Sequence, residues 1–120
     1  MKKKLMVVDD SRVLEMQMEK LLEGSDFQVA AHCKTGEEAI GLYGMVAPDV
    51  VTMDVIMPGL DGFETARAIL EEHAGARIVM VTSLDSEDIG DELDGLDVKG
   101  VVCKPFERET LLDALEQAMA

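Results

Sequence analysis

The sequence predicts an α/β domain built on a parallel sheet, from two observations. Strand-like and helix-like segments alternate five times along 120 residues, the order that βα units impose. Four of the apolar strand-like runs also end in chemistry: Leu5-Met6-Val7-Val8 in Asp9-Asp10, Val50-Val51-Thr52-Met53 in Asp54, Ile78-Val79-Met80-Val81 in Thr82, and Val101-Val102-Cys103 in Lys104-Pro105. If these strands are parallel neighbours, three carboxylates, a hydroxyl and an ammonium converge on one crevice. Asp54 is the most informative of these residues, because a carboxylate closing a buried, β-branched run must have partners.

Strands are expected near 4–9, 27–32, 49–54, 77–82 and 99–103. The first helix, near 11–23, lines up Leu14, Met18, Leu21 and Leu22 as one buried stripe, and Gly24 ends it. Thr35-Gly36-Glu37-Glu38 has the spacing of a capping box. The second helix should therefore start from Thr35 as N-cap, with Glu38 returning to it, and run to about Gly44, with Pro48 closing the loop. The third, near 61–73, faces inward through Phe63, Ala66, Ile69 and Leu70, and the last, near 107–119, through Leu111, Leu112, Leu115 and Ala118. The fourth, from Ser86 to Leu96, is the weak one. Gly90 and Gly95 each cost it ~1 kcal/mol against alanine, and its apolar positions reduce to Ile89, Leu93 and Leu96, so a short or mobile helix is expected.

The length supports one domain, residues 1–120, with a modest core. No run approaches the ~20 apolar residues that cross a bilayer, and Met1-Lys2-Lys3-Lys4 precedes only a strand-length apolar run, which argues against a signal peptide and membrane insertion. Cys33 and Cys103 lie in or beside strands and fit small buried hydrophobes in a reducing cytoplasm better than a disulfide; His32 and His73 take structural or surface roles. With 11 basic against 25 acidic residues, the net charge of −14 disfavours direct binding to nucleic acid or anionic membranes. Nine methionines read as core filler.

Three carboxylates within a few ångströms repel one another, and a hard divalent cation relieves that repulsion. Mg²⁺ is the natural candidate, because it takes one or two carboxylates and completes its shell with waters and phosphate oxygens. Asp9-Asp10-Ser11 can also cap the first helix, a role compatible with metal binding. Asp54, facing the acidic pair and Lys104, has the environment of a nucleophile that could form an acyl phosphate.

Four motifs together, Val7-Val8-Asp9-Asp10-Ser11, Asp54-Val55-Ile56-Met57-Pro58-Gly59-Leu60-Asp61-Gly62, Val81-Thr82-Ser83 and Cys103-Lys104-Pro105-Phe106, resemble the receiver domain of bacterial two-component response regulators over essentially the full length. The resemblance implies a flavodoxin-like, doubly wound (βα)5 fold with strand order 2-1-3-4-5. It implies Asp54 as phosphoacceptor, Mg²⁺ held by Asp10, Asp54 and the Ile56 carbonyl with Asp9 acting through water, and Lys104 and the Thr82 hydroxyl meeting the phosphoryl group. Backbone N–H groups near Ile56 and Ser83 would complete the cradle, and Pro105 resembles the family's cis-proline.

The chain departs from the family at Val101, where a Tyr or Phe usually moves with the threonine. Ile56 and Leu84 are apolar at variable positions beside the site, where bulk would hinder an attacking water. Asp85 to Asp97 carries seven acidic residues and no Lys or Arg, a solvated face or a docking surface for a basic partner.

The resemblance thus implies a cytoplasmic, non-enzymatic, chemotaxis-type switch, phosphorylated by a sensor histidine kinase and acting on a downstream protein through the 85–119 face. Alternatives within the class are a phosphorelay intermediate and a receiver cut from a longer regulator. An aspartate-nucleophile phosphohydrolase would need an acid/base at Ile56. A flavodoxin-like nucleotide or flavin binder would need a phosphate-cradling loop where Asp9-Asp10-Ser11 stands.

Overall fold

The computed structural model describes residues 2–83 and 86–120, and the side chains of all of these but residues 86–89. Ten elements alternate: β1 (Lys3–Val8), α1 (Arg12–Leu21), β2 (Phe27–Cys33), α2 (Gly36–Val46), β3 (Val50–Asp54), α3 (Gly62–Glu72), β4 (Ile78–Thr82), α4 (Ser86–Leu93), β5 (Gly100–Cys103) and α5 (Arg108–Met119). The sheet is parallel, as the alternation of elements predicts, with the order β2-β1-β3-β4-β5 that the resemblance implies. Strand boundaries differ from those expected by a residue at most.

Alternation along the strands divides the core into two layers. Met6, Val8, Val51, Met53, Ile78 and Met80 pack on one face against Ala39 of α2 and Phe63, Ala66 and Ile69 of α3. Leu5, Val7, Val50, Val79, Val81 and Val102 pack on the other against Leu14 and Met18 of α1 and Leu111, Leu115 and Ala118 of α5. Each fully buried Leu or Met side chain contributes ~1.5–3 kcal/mol.

β2 changes face within its own length. A bulge pairs Leu5 with Val29 but Met6 with Ala31, leaving Ala30 as the extra residue. Phe27 and Val29 therefore join the α1/α5 layer, whereas Ala31 and Cys33 join the α2/α3 layer.

Helix ends follow their caps. α1 stops at Leu21, two residues before the expected end, because the Leu22 N–H closes the helix onto Met18 and Lys20 carbonyls; Gly24 follows at φ 78°. Arg108 of α5 then donates to the Leu21 and Glu23 carbonyls, both at 2.7 Å. α2 runs two residues past Gly44 to Val46, where Ala47 takes a left-handed conformation just before Pro48. Thr35 Oγ1 caps it by accepting the Glu38 N–H, but Glu38 accepts from the Lys34 N–H, one residue before the position a capping box requires. The full box is at α3: Asp61 accepts the Glu64 N–H at 2.8 Å and Glu64 accepts the Asp61 N–H at 3.2 Å. α4 is short, eight residues, and Gly95 at φ 81° follows its end.

Two glycines set the loop beyond β3. Gly59 sits at φ 75° in the turn after Pro58. A Cβ on Gly62 would collide with the Asp54 carbonyl oxygen and lie 2.8 Å from Val55 Cα, so only glycine lets α3 begin against the end of β3.

Candidate functional site

The C-terminal ends of β1, β3, β4 and β5 bring together Asp9, Asp10, Asp54, Thr82 and Lys104 at the edge where the strand order reverses. Register accounts for the convergence: Val8 pairs with Met53, Asp54 with Val81, and Thr82 with Cys103. One carboxylate oxygen each of Asp9, Asp10 and Asp54 lies within 4.8 Å of the others.

Asp9 is 1% exposed and held on three sides. Its N–H donates to the Cys33 carbonyl at 2.9 Å, its Oδ1 accepts the Ser11 N–H at 2.7 Å, and its carbonyl oxygen meets His32 Nε2 at 2.7 Å. Ser11 also caps α1 through its hydroxyl, so α1 starts directly behind the acidic pair. Asp10 is exposed, so the trio offers one ligand to solvent and two from the interior.

Asp54 is 7% exposed. Burial, then the neighbouring Asp9 carboxylate, push its carboxyl up to about 6, while the Lys104 ammonium works in the opposite direction. Lys104 Nζ bridges the two, 3.2 Å from Asp9 Oδ2 and 3.4 Å from Asp54 Oδ1. One ammonium thus only partly offsets the crowded acids. An oxygen-only donor set, buried at Asp9 and Asp54 and incompletely neutralised, fits a hard divalent cation, which would supply the missing charge.

Thr82 is buried at the end of β4, and its carbonyl accepts the Lys104 N–H at 2.7 Å, tying the two strand ends together. Lys104-Pro105 is a cis peptide bond, as the resemblance implied. Ser83 is exposed. With Lys104 it rims a groove of about 600 Å³, walled by Leu14, Leu21, Pro105 and Phe106 between α1 and the β5–α5 loop. Ile56 stands 60% exposed in the loop after β3. Leu84 and Asp85 lie outside the described residues, as do the side chains of Glu87 and Asp88; Asp91, Glu92, Asp94 and Asp97 are exposed.

One expectation needs correction. Cys103 is exposed, because β5 is the sheet's edge strand and this side chain points away from the layer that buries Val102. Cys33 is buried, and burial raises its thiol to about 11. His32 sits at the site: Nδ1 lies 3.0 Å from Glu15 Oε1 on α1 while Nε2 faces the Asp9 carbonyl. Sequence reasoning did not find that contact. Val101, where the resemblance leads one to expect a Tyr or Phe, is 38% exposed on β5.

Residues 5–116 match the family described as the response regulator receiver domain. Among curated proteins, the chain is 32% identical over 115 residues to chemotaxis protein CheY of Listeria monocytogenes, covering 96% of this chain and 97% of that one. It is 34% identical over 119 residues to chemotaxis protein CheY of Halobacterium salinarum, covering 99% and 98%. Among solved structures, a chain of the CheX–CheY–BeF3–Mg complex from Borrelia burgdorferi aligns with a TM-score of 0.91 at 26% identity, covering 98% of this chain and 90% of that one.

Proposed function

Because this chain belongs to the response regulator receiver domain family, we propose that residues 1–120 form one receiver whose Asp54 accepts a phosphoryl group from the phosphohistidine of a sensor histidine kinase. One observation carries the reading: a nearly buried aspartate ends the central strand β3 with an ammonium at 3.4 Å and two further carboxylates beside it. Transfer forms a bond from an Asp54 carboxylate oxygen to phosphorus and breaks the phosphorus–nitrogen bond of the donor.

Asp10 and the Ile56 carbonyl would hold Mg²⁺, with Asp9 acting through a water. When bound, the ion neutralises charge on the transferring oxygens. Lys104 would supply a second positive charge to the same oxygens. The Thr82 hydroxyl and the N–H groups near Ile56 and Ser83 receive the remaining phosphoryl oxygens. Exposed Ile56 narrows the approach of water to the acyl phosphate and lengthens its life.

Output passes to a downstream protein through the 85–119 face, where Val101 and the acids at 91–97 are exposed. The protein acts as a cytoplasmic signalling component, catalysing nothing beyond its own phosphorylation and dephosphorylation. No helix among the described residues is long and apolar enough to cross a membrane.

Acetyl phosphate with Mg²⁺ should add one phosphoryl group by intact mass, and Asp54→Asn should abolish the addition. Equal labelling of the variant refutes the assignment of Asp54.

A further inference from the structure

The β2 bulge has a chemical outcome at the site. In an unbroken strand, residues 27, 29, 31 and 33 would share a face and His32 would point to the other; the extra residue Ala30 reverses this after Val29. His32 is thereby turned toward α1, where Glu15 stands one turn inside the helix.

A carbonyl oxygen can only accept, so His32 Nε2 carries the hydrogen of the 2.7 Å bond to Asp9. Nδ1 is engaged by Glu15 at 3.0 Å, which fixes the ring plane; the His32 side chain is 9% exposed and that of Glu15 19%. The carbonyl of Asp9 belongs to the peptide that joins Asp9 to Asp10. Holding that oxygen sets the peptide plane, and with it the direction in which the exposed Asp10 carboxylate leaves the chain. The Asp9 N–H is already fixed by the Cys33 carbonyl of the same strand. β2 thus grips both main-chain groups of residue 9.

We propose that His32, braced by Glu15, is a positioning residue for the divalent-cation site: it orients the Asp9–Asp10 peptide so that both carboxylates face a common ion. The inference rests on the reading of Asp9, Asp10 and Asp54 as that site. It separates the ligands from a support supplied by a different strand and a different helix.

Calorimetric titration with Mg²⁺ alone, without phosphodonor, tests it. The wild type should bind, and His32→Ala should bind ~10-fold more weakly. His32→Gln, which keeps an N–H donor, should recover most of that loss. Glu15→Ala should weaken binding ~3-fold and add nothing in the His32→Ala background, because both act through one bond. Thermal melts in EDTA report any general loss of folding, which would not be rescued selectively by glutamine. Should His32→Ala not fold, Glu15→Ala carries the test, since its side chain lies outside both core layers. Failure of the wild type to bind Mg²⁺ sinks the cation reading and the inference together. A wild type that binds, with His32→Ala or, in its absence, Glu15→Ala indistinguishable from it, overturns the inference alone.

Discussion

The acidic half of the site and its cationic half are held in different ways. Asp9 is pinned through its N–H, its carbonyl and its carboxylate, by Cys33, His32 and Ser11. Lys104 is tied at its main chain to Thr82, and its ammonium reaches Asp9 and Asp54 on a flexible stem that leaves the side chain 28% exposed. Strict geometry is thus placed where an ion with octahedral demands would sit, and reach where a group must follow charge arriving from outside. Position governs the first half, and charge the second.

Substitutions can break that division. The largest effect is expected from Asp10→Ala, which should lower Mg²⁺-dependent phosphorylation ~100-fold, while Glu116→Ala, exposed on α5, leaves it unchanged. Glu15 would be a poor control, since it braces His32. Lys104→Met should slow phosphorylation ~10–100-fold yet leave Mg²⁺ binding intact or tighter, because it removes a competing cation without disturbing the pinned acids. Equal loss of Mg²⁺ affinity in both variants would abolish the distinction between the halves.

A smaller effect concerns stability without metal. The Asp54 carboxyl is lifted from 3.8 to about 6, so between those values the folded protein keeps a proton that the unfolded chain releases. This group's contribution is neutral at lower pH, turns unfavourable as pH rises toward about 6, and is constant above. Asp54→Asn should therefore stabilise the metal-free protein at neutral pH by on the order of 2 kcal/mol, a gain that fades on acidification; urea titrations across pH would measure it. The smallest effect is expected at Val101. Val101→Phe should change stability by less than ~1 kcal/mol, since the position is open to solvent. Hydrogen exchange with a beryllofluoride mimic should alter protection in the loop after Asp54, after Thr82 and over residues 85–97, with α1 nearly unchanged, whether or not a ring stands at 101.

The sheet and the cluster at its edge were legible because short, near-continuous apolar runs ended in Asp9, Asp54, Thr82 and Lys104, and strand ends in a parallel sheet share an edge. The capping box of α3 escaped that reading: Asp61 is followed three residues later by Glu64, but Thr35 and Glu38 offered the more familiar form. His32 was not readable. Its contact depends on which face of β2 it occupies, and one unpaired residue, Ala30, reverses that face without disturbing the composition of the strand. Cys103 misled for a related reason: strand membership does not say which strand lies at the edge.

The strand order also fixes a schedule. β1, β2 and β3 are neighbours in the sheet and come first in the chain, so ribosomal synthesis delivers Asp9, Asp10 and Asp54 before the ammonium that bridges two of them exists. Lys104 follows Asp54 by 50 residues (104 − 54), several seconds at ~5–20 residues per second. Until Lys104 is made, the three carboxylates lack the ammonium that the finished domain sets 3.2 Å from Asp9 and 3.4 Å from Asp54.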